Sequence, residues 1–105
     1  MSENRDYVAL EWISKEIEET LEQARKALET YVENESDTTQ LRFCHNYIHQ
    51  VHATLKMVEF PGAVLFAQEM ENLLQAIMDG KVEDLNQAYD VLMGSIIRLP
   101  IYLER

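Results

Sequence analysis

The sequence predicts an all-α fold, an antiparallel up-and-down four-helix bundle, on three observations. Four stretches repeat apolar residues at steps of three and four, the spacing that keeps one face of a 3.6-residue helix apolar. The connectors between them are short and polar, so consecutive helices must pack back against one another. Only three Gly and two Pro occur in 105 residues, and 47% hydrophobic with 27% charged residues suits a compact helical chain. That length supports a single core, hence a single domain over residues 1–105.

The first helix is expected from about Asp6 to Val32, with Leu10, Ile13, Ile17, Leu21, Ala24, Leu28 and Tyr31 on its buried face. Its other faces carry Glu16, Glu18, Glu19, Glu22 and Glu29 and read as solvated. Val8 and Trp12 lie off the stripe and are expected to cover another part of the domain in preference to the alternative, contact with a partner, because large apolar side chains are seldom left in water. Residues 33–39 are polar and aperiodic, and they supply Ser, Asp and Thr as caps for the next helix. The second helix runs from about Thr38 to Val58, with Leu41, Cys44, Ile48, Val51, Leu55 and Val58 inward. Pro61 disfavours helical geometry at Phe60 and removes a backbone donor, so the chain turns at Glu59-Phe60-Pro61-Gly62. A third helix follows to Met78, facing inward through Ala63, Phe66, Met70, Leu73, Leu74 and Ile77, and Asp79-Gly80 stops it. The fourth, from about Val82 to Leu99, repeats the pattern at Leu85, Tyr89, Leu92, Ile96 and Leu99, and Pro100 ends or kinks it. The scattered methionines are core filler.

Charge and cysteine content narrow the function. The net charge of −10, from 19 acidic against nine basic residues, is the wrong sign for a protein that grips a nucleic-acid backbone or an anionic membrane. The single Cys44 has no internal disulfide partner and lies on an apolar stripe, which suits a reducing cytoplasm. No stretch approaches the ~20 apolar residues of a membrane span, and Ser2 to Asp6 leads into an amphipathic pattern rather than a signal-peptide core. Neither membrane insertion nor a coiled-coil seam is expected, and the default state is a monomer.

All three histidines fall within eight residues of the second helix, and His45, His49, His52 and Lys56 form a stripe beside its apolar face. Glu71 lies as many positions after Phe60 as His49 lies before it, so antiparallel packing brings the two to one level. A carboxylate hydrogen-bonded to one imidazole nitrogen fixes the tautomer and leaves the other nitrogen as a nucleophile or ligand.

His49-Gln50-Val51-His52-Ala53, then Phe60 and Met70-Glu71-Asn72-Leu73-Leu74, resembles the histidine phosphotransfer (HPt) domain. With Asp6 to Trp12 and Leu99 to Leu103 included, the likeness points to the N-terminal HPt-like region of CheA-type kinases and of related scaffold proteins that control type IV pilus twitching motility. It allows the chain to be the N-terminal part of a longer one. The resemblance implies a phosphorelay role in a chemotaxis-like pathway, with His49 as phosphoacceptor, Glu71 as its orienting carboxylate, and His52 and Lys56 in support. It implies a receiver-docking surface that includes His45 and Ala53, and as partners a response-regulator receiver domain and a histidine kinase catalytic domain. Two positions depart from the family. His52 stands where a fixed lysine charge is usual, and Ala53 stands in place of the glycine that lets a receiver approach closely. Lys56, one turn beyond His52, is expected to restore the charge.

Such a domain is a carrier, not an enzyme. It has no Gly-rich nucleotide loop and no nucleophile–base constellation, and no cofactor is expected. The main alternative is an HPt-like scaffold that docks a partner without carrying phosphate, as His52 and Ala53 favour. A third reading is a Zn²⁺- or Ni²⁺-binding helix using the histidines and Glu71. That spacing recurs by chance and lacks a fourth Cys or His, so no metal is assigned.

Overall fold

The computed structural model describes residues 2–58 and 61–103, with the backbone alone at 2–10 and 61. Four helices follow in order, α1 (Ser2–Glu33), α2 (Thr38–Met57), α3 (Pro61–Met78) and α4 (Leu85–Leu103), and no strand occurs among the described residues. Each helix packs on two neighbours, α1 on α2, α2 on α3, α3 on α4 and α4 back on α1. That ring of contacts with short connectors is the up-and-down four-helix bundle the spacing predicts.

The core forms where the apolar stripes meet. From α1 come Ile17, Leu21, Ala24, Leu28 and Tyr31, and from α2 Leu41, Cys44, Ile48, Val51 and Leu55. α3 adds Ala63, Met70, Leu74 and Ile77, and α4 adds Tyr89, Leu92, Ile96 and Leu99. Ala27, Ala67 and Ala88 are also buried, because alanine lets two helices approach closely where a larger residue would hold them apart. Leu10, assigned from periodicity, and Val8, placed off the stripe, lie outside the residues whose side chains are described, and Phe60 lies outside the described residues altogether.

Several boundaries differ from the sequence reading. α1 starts earlier and is 32 residues long against 20 for α2, and the short connector fixes Glu33 beside Thr38. The excess therefore projects at the end where α2 stops and α3 begins, and the molecule is 52 Å long but only 20 × 18 Å across. Trp12 lies at that end and is 77% exposed, so it does not cover the domain as expected. α4 begins at Leu85, not Val82. Asp84 caps it, its Oδ1 accepting the backbone N–H of Gln87 at 3.1 Å, and Val82 packs on the core from the loop. Pro100 does not end α4, which continues to Leu103, because a proline so near the helix end disturbs only the last turn.

The connections are held locally. After α3, Gly80 takes the left-handed conformation (φ 70°), while Gly80 N–H donates to Ile77 O and Lys81 N–H to Ala76 O, a Schellman stop. At the start of α3, the Tyr102 hydroxyl fills the space a β-carbon on Gly62 would take, so α4 sits close over this turn. The α1–α2 connector is tied to α4 by Tyr89, whose hydroxyl donates to Glu35 Oε1 at 3.3 Å and whose ring meets Tyr31 edge-on at 5.9 Å. On the outer face of α1, Arg25 bridges Glu22 and Glu29. The bond from Arg25 draws the Glu22 carboxyl below its usual range, but this pair stands in water and adds little to stability. No helix among the described residues is long and apolar enough to cross a membrane.

Burial pushes the Cys44 thiol up to about 12 from its ordinary value of 9.0. Above pH 9 the unfolded chain gives up this proton while the folded chain keeps it, so stability is full below that point and falls as pH rises towards 12. Burial also raises the Tyr89 hydroxyl, which acts in the same direction. Urea midpoints at about pH 8 and about pH 10.5 are expected to drop steeply in the parent and less in Cys44→Ala. Equal slopes would show that the thiol plays no part.

Candidate functional site

The site lies where α2 faces α3. His49 and His52 are three positions apart on α2, hence neighbours on one helical flank, and Glu71 reaches them from α3. The level match counted about Phe60 holds. His49 Nδ1 is 3.2 Å from Glu71 Oε2, and His52 Nδ1 is 2.7 Å from Glu71 Oε1. A carboxylate can only accept, so in its neutral form each ring carries its proton on Nδ1 and donates to Glu71, leaving Nε2 with its lone pair.

Burial divides the two histidines. The His49 side chain is 64% exposed, whereas those of His52 and Glu71 are nearly enclosed. The core therefore holds His52 and Glu71 as a rigid pair, and the pair holds one edge of an otherwise open ring. His49 is thus an oriented, accessible imidazole, the arrangement needed to present Nε2 to a partner.

Not all the residues the sequence brings forward join this cluster. His45 is half-buried one turn before His49, and it is not among the residues grouped around Glu71. Ala53 and Lys56 are exposed. Lys56 is not among the described ion pairs of Glu71. The double role of Glu71 also went unforeseen. The sequence pairs it with His49 alone, while its shorter bond goes to His52.

On the other side of α3, a groove of about 540 Å³ opens against α4. Phe66, Leu73 and Val91 line it with Glu69 and Asn72 at its edge, and it does not touch the histidines. Of its apolar lining, periodicity assigns Phe66 and Leu73 to the core but not Val91.

A sequence model of the FimL C-terminal domain matches residues 7–105. Over 96 residues the chain is 29% identical to the Scaffold protein FimL of Pseudomonas aeruginosa, an alignment covering 91% of this chain and 17% of that protein. The chain thus spans only a small part of the length of its relative. The resemblance read from the residues points to an N-terminal HPt-like region, whereas the matching model describes a C-terminal domain. No solved structure matches.

Proposed function

The chain belongs to the FimL C-terminal domain family, and from that premise we propose that it is a docking scaffold of HPt shape acting in type IV pilus motility signalling. The observation that carries this reading is the state of His52. At the position where a phosphate carrier has a lysine, this chain has a buried imidazole already bonded to Glu71 at 2.7 Å. A ring so placed gives no fixed positive charge beside an incoming phosphoryl group, where negative charge must be stabilised during transfer. Ala53 adds an exposed methyl group at the proposed contact with a receiver. Exposed apolar side chains, Trp12, Met57 and Leu65, lie towards the end where α2 stops and α3 begins, and they supply contact area for a protein partner.

A second reading, phosphate carriage, is favoured by one feature, the open and oriented His49. In that reaction His49 Nε2 attacks the phosphorus of a receiver's aspartyl phosphate. The N–P bond forms as the P–O bond breaks, the aspartate leaves as carboxylate, and the Nδ1 proton stays on Glu71's side of the ring.

One experiment separates the two. The chain is mixed with phosphorylated receiver domains and their kinases from the same cell, and both binding and acid-labile phosphate are measured. A scaffold is expected to bind one receiver with similar affinity as parent and as His49→Gln, without label. Phosphate on the parent that vanishes in His49→Gln would replace the scaffold reading with the carrier reading.

A further inference from the structure

We infer that His49, His52 and Glu71 form a binding site for a divalent transition metal of the Zn²⁺ type, with three protein ligands and a fourth position open to solvent. Each side chain offers one ligand atom, and the three atoms lie within 4.8 Å of one another. Zn²⁺ binds imidazole nitrogen and carboxylate oxygen at about 2.0–2.2 Å, which sets tetrahedral donors about 3.3 Å apart. The 3.2 Å from His49 Nδ1 to Glu71 is already at that spacing, and the 2.7 Å from His52 Nδ1 needs only a small opening. The three ligand atoms, at most 4.8 Å apart, need to close to about 3.3 Å from one another to form the ligand set.

Three further features support the site. Two imidazoles with one carboxylate suit a borderline cation better than Mg²⁺ or Ca²⁺, which prefer an all-oxygen shell. All three ligands sit on helices, and the core already holds His52 and Glu71 in place, so little ordering remains to be done on binding. The partners recorded for Glu71 are two imidazoles, which carry positive charge only when protonated; a dication supplies that charge while both are neutral.

The site does not depend on the docking reading, but it bears on the alternative to it. A metal on His49 Nδ1 displaces that proton to Nε2 and removes the lone pair that would accept phosphate. A metal-filled site and a phosphate-accepting His49 are mutually exclusive states of the same ring.

Calorimetric titration of ZnCl₂ into the tag-free chain tests the inference directly. One equivalent is expected to bind the parent and to bind His45→Gln equally well, since His45 is outside the cluster. His49→Gln and Glu71→Gln are expected to weaken binding by more than the roughly 10- to 100-fold that loss of an outer hydrogen-bond partner of a ligand costs. His49 is 64% exposed, so its replacement leaves the core untouched, and circular dichroism verifies the fold. Zn²⁺ binding that is unchanged in His49→Gln, lost equally in His45→Gln, or no tighter than that of free imidazole would overturn the assignment.

Discussion

Replacing Leu74 by alanine is expected to lower the unfolding free energy by about 2–5 kcal/mol, while Trp12→Ala should change it by less than about 0.5 kcal/mol. Leu74 has no exposed surface and sits on α3, one turn after Glu71, within the core shared by all four helices. Truncation removes the transfer free energy of the lost methyl groups and leaves a cavity that four packed helices cannot close fully. For a domain of this size, with a total stability of about 5–15 kcal/mol, that is a large fraction. Trp12, though the larger side chain, is 77% exposed and buries little on folding. Urea unfolding followed by circular dichroism should move the midpoint of Leu74→Ala far down with little change in slope. A larger loss in Trp12→Ala than in Leu74→Ala would contradict the packing described.

The helices were legible because burial in a bundle follows period, and period survives in a single sequence. The level of Glu71 was legible too, since a tight turn between antiparallel helices makes residues equidistant from it face each other. The different burial of the histidines was available but unused. Measured from the centre of the α2 apolar stripe, His52 lies about 60° away, His45 about 80°, Lys56 about 100° and His49 about 120°. That order runs from buried through half-buried to exposed, as observed. The start of α4 was hidden because Val82 continues the apolar spacing although Asp84 supplies the cap; local hydrogen bonding prevailed over period. Trp12 misled because it lies far round α1 from the apolar stripe, and no described element covers that face.

Removal of the Glu71 carboxylate should separate stability from tautomer control. In Glu71→Ala the enclosed His52 loses the acceptor of its 2.7 Å bond, and an unsatisfied buried donor costs about 1–3 kcal/mol. Glu71→Gln should cost much less, because an amide carries one acceptor and one donor and can still bond both rings. The two imidazoles must then differ. His52 is the less exposed ring and makes the shorter bond to residue 71, so it keeps Nδ1–H and takes the amide oxygen. The NH₂ group is left for His49, which accepts it on Nδ1 and carries its own proton on Nε2, where solvent is available to the exposed ring. Nitrogen-15 chemical shifts of the imidazoles are expected to show Nδ1–H on both rings in the parent, and one ring of each kind in Glu71→Gln. That variant would stay folded yet lose the outward lone pair of His49. Two Nδ1–H rings in Glu71→Gln would mean that the carboxylate does not set the tautomer, and that the orientation of His49 comes from packing on α2 alone.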